Sequence, residues 1–401
     1  MSNAVRLFKG ERLASRDKRE AQALHISDDK INQKYAMGEV RIVTEQARYP
    51  LSSIVALLES GDYKLDPDFQ RRHRWAVEKK SRLIESLIMN VPIPPIFLYE
   101  DRYSHYEVMD GLQRLTAIGE FYTDRFALAG LAEWPELNGR TYSQLPDQIR
   151  KGIDRRYISS IILLQETAKS AGEAMRLKQM VFERINSGGI QLEPQEARNA
   201  IYDGPLNRLC IKLASNQDFR TLWGIPQPDD VIEEGGEVGA ARLSEIHQKM
   251  TDVELVLRFF AYRQRENLHQ GAFKEYLDFY LREGNAFSAD LLASLSILFT
   301  STIGLANSLF GEKAFKLFRS RKGGKWVWFD RPTTVVYDPL MFALSAVVEQ
   351  GPQLIKKKNE IGRGLESFYK VNAAEFEGRY TNKSNLKARN ELFVEYLSSF
   401  L

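Results

Sequence analysis

Residues 106–117 constrain the fold of this chain more than any other segment, because they change from a strand-like to a helix-like pattern across an Asp-Gly corner. The stretch reads Tyr106-Glu-Val-Met-Asp110-Gly111-Leu112-Gln113-Arg114-Leu-Thr-Ala. Glycine permits a tight turn or the close approach of a ligand, and the free N–H groups that begin a helix attract anions. An acid, an amide and an arginine around such a corner suggest phosphate chemistry. The structural alternative is that Asp110 caps the helix and Arg114 is solvated.

The composition indicates a soluble globular chain with room for two domains. It has 401 residues, of which 43% are hydrophobic and 27% are charged. No segment approaches the roughly 20 uninterrupted apolar residues of a membrane helix, and the charged N-terminus lacks the apolar block of a secretory signal. We therefore expect a cytoplasmic protein without a membrane partner.

The number of cysteines, the spacing of the histidines and the net charge exclude several classes of site. The single cysteine, Cys210, excludes internal disulfides and thiolate-rich metal sites, and its apolar surroundings indicate a buried thiol. The five histidines lack the spacing of metal ligands. The net charge of +3 is too small to indicate nucleic-acid binding by itself, so any basic binding surface must be local.

The pattern of the chain predicts an α+β protein in three parts. Residues 1–40 form a polar extension that orders only in part or against another surface. Residues 41–205 form a small mixed α/β domain, and residues 206–401, with their long helical periodicity, form a mostly helical domain. In the α/β domain we expect helices near residues 51–60, 78–89, 115–126 and 173–185, and strands near residues 96–99, 106–109 and 158–165.

Four segments together resemble a known family. They are Phe69-Gln70-Arg71, Leu83-Ile84-Glu85-Ser86 with the following Pro92-Ile-Pro-Pro-Ile96, the corner Asp110-Gly-Leu-Gln-Arg114, and Val181-Phe-Glu-Arg-Ile-Asn186-Ser187-Gly-Gly189. Their order resembles the ParB/sulfiredoxin-like superfamily, and most closely its domain-of-unknown-function 262 branch. That branch includes the nucleotide-hydrolysing halves of GmrSD-type and SspE-type restriction and phage-defence proteins. The resemblance covers roughly residues 41–205 and implies a ParB-like nucleotide-binding fold.

The resemblance and the charges together assign candidate roles. Arg114 and Arg71 are candidates for phosphate contacts, because a guanidinium pairs two oxygens at once. Asp110 or Glu85 would hold Mg²⁺, and Gln113 would orient water. The catalytic set is therefore Asp110, Gln113 and Arg114, and the nucleotide-binding set is Gln70, Arg71, Glu85, Ser86, Gly111, Asn186 and Ser187.

Structural alternatives accompany these roles, and the corner departs from the family pattern. Arg71 and Glu85 would also suit a plain salt bridge, and the Asn186 loop would also suit a helix C-cap. The family corner usually reads Asp-Gly-Gln-Gln-Arg, whereas this chain has Leu112 in place of the first glutamine. If that glutamine orients the attacking water, the change slows hydrolysis of a nucleoside triphosphate while its binding survives.

A second candidate surface lies between residues 310 and 331, where basic and aromatic residues alternate. Lys316, Arg319, Arg321, Lys322 and Lys325 would meet a DNA backbone, and Trp326 or Trp328 would stack on a base. The alternative, which we favour, is a charged turn with inward-packed tryptophans.

The leading hypothesis is a nucleotide-binding protein, an Mg²⁺-dependent NTP hydrolase that regulates a restriction response to foreign or modified DNA. We expect DNA as a partner, together with a nuclease or another defence subunit, and an oligomer is compatible with the sequence. One alternative is a non-catalytic DNA-binding or adaptor module with the same fold, for which Leu112 is the motivating observation. A self-contained nuclease is less favoured, because the relatives that cut DNA carry a histidine-containing nuclease domain and only His247 and His269 lie in the second half.

Overall fold

The computed structural model divides the chain into two compact units. It describes residues 5–13, 27–36, 42–65, 75–164, 171–187, 194–226, 246, 249–265, 272–321, 324–376 and 383–401. The first unit comprises Glu20–Leu192, and the second unit comprises Met1–Arg19 together with Glu193–Leu401.

The described part of the first unit contains a five-stranded sheet and six α-helices. In chain order these elements are α1 (Asp28–Ala36), β1 (Thr44–Pro50), α2 (Ile54–Glu59), β2 (Tyr63–Lys64), α3 (Val77–Ile88), β3 (Ile96–Arg102), β4 (His105–Asp110), α4 (Leu112–Tyr122), α5 (Asp147–Asp154), β5 (Tyr157–Leu163) and α6 (Ala171–Ser187). Short 3₁₀ turns occur at Leu51–Ser53, Pro135–Leu137 and Tyr142–Gln144.

The sheet has the strand order β1-β5-β3-β4-β2 and mixes parallel with antiparallel pairs. Strand β5 pairs antiparallel with β1 and parallel with β3, while β4 pairs antiparallel with β3 and parallel with β2. Alternate residues of β3 and β5, such as Ile96, Leu98, Ile158 and Ile162, are buried in the core that also contains the apolar faces of α3 and α4. This core fixes the position of the β4–α4 corner.

Helix α6 is attached to the sheet through a buried ion pair. Tyr99 and Glu107 lie opposite each other in the β3–β4 register, one residue on from the Leu98–Val108 pair, so their side chains leave the other face of the sheet. The Nζ atom of Lys178, on α6, lies 2.7 Å from both carboxylate oxygens of Glu107 and 5.7 Å from the centre of the Tyr99 ring. The pair therefore joins α6 to the strand that leads into the corner.

The described part of the second unit is mostly helical, with one small hairpin. Its elements are α7 (Pro194–Ile201), α8 (Pro205–Leu213), α9 (Gln217–Trp223), α10 (Thr251–Tyr262), α11 (Phe273–Gly284), α12 (Ala289–Phe310), β6 (Phe318–Ser320), β7 (Trp326–Trp328), α13 (Thr334–Ala346), α14 (Gly351–Lys356), α15 (Lys358–Val371), α16 (Ala373–Phe376) and α17 (Lys383–Ser398).

Helix α12 is the central helix of the second unit. It packs against helices on several sides, and the Phe299 ring lies 5.8 Å from Phe219 on α9 and 5.5 Å from Phe259 on α10. By length and composition the segment Ala289–Lys313 would suffice to cross a membrane, a property that the core helix of a soluble protein shares. Its buried positions recur with helical spacing, as expected for packing on neighbouring helices. The thiol of Cys210 on α8 is also buried in this unit, and burial raises its pKa.

The described N-terminal residues 5–13 are anchored on the second unit by a buried ion pair. The Glu11 carboxylate accepts a bond from Arg263 Nη1 at 2.5 Å, and both side chains are almost fully buried. Gln264 Nε2 donates to the Glu11 carbonyl at 2.8 Å, and Gln264 Oε1 accepts from the Leu13 N–H at 3.2 Å. This part of the polar N-terminal segment is therefore attached to the helical body.

The predicted α+β class is confirmed, and the structure changes several element boundaries. The helix expected at residues 115–126 is Leu112–Tyr122, and the helix expected to end at residue 185 continues through Asn186 to Ser187. Strand β1, which the sequence did not predict, forms the edge of the sheet. The likeness to ParB and sulfiredoxin stays a prediction.

Loss of the Lys178 ammonium tests the attachment of α6. Lys178→Met leaves the Glu107 carboxylate without its partner, and we expect the free energy of unfolding of the first unit to fall by about 3–5 kcal/mol. Hydrogen exchange of the β3 and β4 amides measures this loss. The matched control is Lys151→Met, because the Lys151–Asp147 pair is exposed and its removal should change nothing measurable. Equal exchange rates in the two variants would contradict the role of the buried pair.

Candidate functional site

The corner between β4 and α4 depends on a glycine for two reasons. Gly111 has φ 98°, in the left-handed region that favours glycine, and it precedes the first residue of α4. A Cβ atom at this position would also meet the Ile96 side chain, with 2.9 Å to Ile96 Cβ. The backbone of the corner therefore passes directly against the first residue of β3.

Asp110 pairs with Arg114 and does not cap the helix. The Asp110 Oδ2 atom lies 2.6 Å from Arg114 Nη2, and among the described residues no side chain caps the first turn of α4. The Arg114 side chain is 11% exposed and that of Asp110 is 43% exposed. The pair leaves Asp110 partly exposed to solvent, and no described residue donates a hydrogen bond to its other carboxylate oxygen.

The guanidinium of Arg114 also holds the proline-containing segment that leads into β3. Its Nη1 atom donates to the Pro94 carbonyl, and to the Pro95 carbonyl at 3.3 Å. Burial lowers the pKa of Arg114, and the Asp110 carboxylate opposes that shift. Arg114 is thus fixed by a carboxylate on one side and by backbone carbonyls on the other, with few rotamers open to it.

The first backbone N–H groups of α4 are open at this corner. The first bond within the helix runs from the Leu115 N–H to the Gly111 carbonyl at 3.0 Å. Within the described ranges, the N–H groups of Leu112, Gln113 and Arg114 have no acceptor. Three open donors at a helix start, together with the helix dipole, form an environment that stabilises an anion.

Gln113 bonds to the end of the arginine-rich segment, residues 69–75, which contains Arg71, Arg72 and Arg74. Its Oε1 atom accepts from the Trp75 N–H at 3.4 Å. Trp75 directly follows residues 66–74, which lie outside the described residues. Gln70 and Arg71 are among them, so the alternative salt bridge between Arg71 and Glu85 stays a prediction. The contact places the end of that segment beside the corner.

The structure gives Glu85 and Ser86 partners that the sequence did not predict. Glu85 is buried, and its Oε1 atom accepts from the N–H groups of Glu133 and Trp134 at 2.8 and 3.0 Å. Ser86 Oγ donates to the Arg82 carbonyl within α3 at 2.8 Å. These bonds make Glu85 an anchor of the loop that follows α4. Its assignment to Mg²⁺ stays a prediction, as does the nucleotide contact of Ser86.

The described residues contain no group of three or more His, Cys, Asp or Glu side chains that would hold a metal ion. The donor set fits a metal only in part, since Asp110 has a free oxygen while Glu85 bonds to backbone. Asn186 and Ser187, expected in a loop, belong by their backbone to the last turn of α6. Gly188 and Gly189 lie outside the described residues.

The Glu107–Lys178 pair escaped the sequence analysis, although one signal was present. Glu107 lies in β4 next to the apolar Val108 and Met109, and a charge among apolar strand residues generally has a partner. Residues 107 and 178 are far apart in sequence, so only the fold identifies Lys178 as that partner.

The fold and the site together define the class of this protein. It contains an α+β unit in which a strand, a glycine and a helix form a corner that attracts anions. Residues 53–202 match the family model described as GmrSD restriction endonuclease, N-terminal domain. The match covers less than half of the chain, includes the whole corner, and supports a GmrSD-type restriction protein family. Searches of curated proteins and of solved structures gave no significant match.

Replacement of Gly111 tests the geometry of the corner. An alanine in the left-handed region costs about 1–2 kcal/mol, and the clash with Ile96 should add about 1–3 kcal/mol. The matched control is Gly139→Ala, since Gly139 has φ 83° but open space around it. Urea denaturation should show a larger loss of stability for Gly111→Ala than for Gly139→Ala. Equal losses would mean that the close approach of Gly111 to Ile96 makes no difference to the free energy of unfolding.

Proposed function

We propose that the first unit binds the phosphates of a nucleoside triphosphate at the β4–α4 corner and hydrolyses it with Mg²⁺. In this proposal the hydrolysis regulates a restriction response to foreign or modified DNA, together with a nuclease or another defence subunit. The observation that carries the proposal is the set of open N–H groups of Leu112, Gln113 and Arg114 beside the Asp110–Arg114 pair. The family match over residues 53–202 supports the connection to restriction.

Phosphate binding at this corner follows from charge and geometry. The open amides and the helix dipole attract phosphate oxygens. The Arg114 guanidinium has five N–H donors, and it bonds to the Asp110 carboxylate and to the two proline carbonyls. A phosphate that approaches the helix start would compete with Asp110 for this guanidinium. Binding would then free the Asp110 carboxylate for a cation.

The proposed Mg²⁺ is held mainly by Asp110 and by the phosphates themselves. Mg²⁺ keeps several waters and generally takes one or two carboxylates plus substrate oxygens, so the single free Asp110 oxygen is a sufficient protein ligand. When bound, such a metal would offset the negative charge that develops on the phosphate during phosphoryl transfer. Gln113 lies one residue from Arg114 and would orient the attacking water through its amide.

Leu112 favours a second candidate function, a DNA-binding or adaptor module that has lost hydrolysis. Leu112 occupies the first position of α4, beside the proposed phosphate site. An apolar side chain cannot hydrogen-bond to water there, whereas a glutamine can.

Phosphate release from each of the four common NTPs, with and without DNA, separates the two functions. Nucleotide binding without turnover favours the module, and neither binding nor turnover with any nucleotide contradicts the proposed site.

Arg114→Ala should lower the turnover of NTP by roughly 10³–10⁵, the loss expected for an arginine that stabilises the transition state. The steady-state rate of phosphate release measures it. The matched control is Arg125→Ala, since Arg125 is exposed and lies just beyond α4, and this variant should keep the rate of the unaltered protein. Because Arg114 also holds the proline segment, circular dichroism must first show a folded variant. An unchanged rate in folded Arg114→Ala protein would remove Arg114 from the mechanism.

Leu112→Gln should raise the turnover of NTP, because it supplies an amide where the attacking water is expected. A gain of roughly tenfold corresponds to about 1.4 kcal/mol of transition-state stabilisation. The control is Leu112→Met, which is similar in size and remains apolar, and should leave the rate unchanged. If both variants hydrolyse at the same rate, Leu112 does not limit hydrolysis.

A further inference from the structure

A small hairpin in the second unit presents a distinct basic surface. Strands β6 and β7 pair antiparallel, with Arg319 opposite Val327 and Ser320 opposite Trp326. The Arg321 N–H donates to the Lys325 carbonyl at 2.9 Å and closes the pairing. The hairpin therefore holds the backbone of Arg319, Ser320 and Arg321 in a fixed position.

Trp328 of this hairpin packs towards α15, and Trp326 packs on the hairpin's own Phe318. Trp328 Nε1 donates to Glu366 Oε1 at 2.9 Å, and the Trp328 ring lies 5.0 Å from Phe318 and 5.9 Å from Tyr369. Trp326 lies 5.5 Å from the Phe318 ring. The alternative that we favoured from the sequence, with tryptophans packed inward, therefore holds for Trp328. Its indole N–H already has a hydrogen-bond partner.

Two arginines cover a third aromatic ring instead. The guanidinium carbon of Arg319 lies 3.9 Å from the centre of the Phe329 ring, and that of Arg321 lies 5.6 Å from it. Arg319, Arg321, Phe329 and Ser320 line an open pocket. We call the surface formed by these four residues the hairpin face. A guanidinium that lies over a ring can still donate its N–H groups to the oxygens of an anion.

The charges of the hairpin face are unbalanced. Neither Arg319 nor Arg321 has a carboxylate partner within the described residues, and both side chains are exposed. Glu366 already bonds to Trp328 and lies 3.7 Å from Lys313.

Asp330 is exposed beside Phe329, and the exposed Lys325 adds a further positive charge. Lys316 is only half-buried, and Lys322 lies outside the described residues.

We propose that the hairpin face binds a phosphodiester of the DNA backbone through Arg319 and Arg321. Two guanidiniums with free edges suit phosphate oxygens, which accept paired N–H bonds. Both arginines lie against the Phe329 ring, so the face contacts phosphate and does not stack on bases. The contact therefore positions DNA on the second unit without reading its sequence. The NTP site proposed above lies in the other unit, and this inference does not depend on it.

The salt dependence of DNA binding tests the contact. Fluorescence anisotropy with a labelled duplex gives the dissociation constant of the full chain across a salt series. For Arg319→Ala/Arg321→Ala we expect roughly tenfold weaker binding or more, and a slope of log affinity against log salt that is smaller by about 2, since each lost phosphate contact removes about 0.9. The matched control is Lys356→Ala/Lys357→Ala, which removes the same charge from exposed positions, and should keep the original slope.

The outcomes that overturn the proposal are distinct. If the hairpin variant has the same slope as the control variant, Arg319 and Arg321 contact no phosphate. If the unaltered chain shows no detectable DNA binding, the hairpin face does not bind DNA at all. Arg319→Lys/Arg321→Lys should keep the slope, because the charge remains, and a slope as low as that of the alanine variant contradicts a phosphate contact. NTP turnover measured in the same preparations should be unchanged without DNA, so a failure of the NTP site is recognised separately.

Discussion

The guanidinium of Arg114 is the interaction on which the site in the first unit depends. It bonds to Asp110 at the end of β4 and to the carbonyls of Pro94 and Pro95 before β3. It therefore joins the two ends of adjacent antiparallel strands at the start of α4. The strand register shifts at the same place, so that Phe97 lies opposite Asp110 while Leu98 lies opposite Val108. Such an irregularity redirects side chains, and it accompanies the turn into Gly111.

Further contacts attach the corner to the surrounding structure. Gln113 reaches back to Trp75, and the Glu107–Lys178 pair joins the strand before the corner to α6. The α6 helix ends at Ser187, next to the Gly188-Gly189 pair. The corner is therefore attached to Trp75 on one side and, through β4, to α6 on the other.

Local patterns predicted those parts of the fold that their own residues determine. Three prolines preceded a strand, an apolar stripe at Leu83, Ile84 and Leu87 marked α3, and Asp110-Gly111 marked the corner. Strand β1 was missed because Thr44–Pro50 is polar and largely exposed, and it becomes a strand only through pairing with β5. Likewise, Glu85 bonds to residues about fifty positions later, and no local pattern contains such a contact.

The central claim is that the open amides of α4 receive the phosphates of a nucleotide. Hydrogen exchange at Leu112, Gln113 and Arg114, with saturating NTP and Mg²⁺, tests it most directly, because these N–H groups have no acceptor in the described structure. The account predicts that the nucleotide slows exchange at these three amides and leaves the amides of α12 in the second unit unchanged. Unchanged exchange at all three amides, under conditions where the nucleotide is bound, would contradict it.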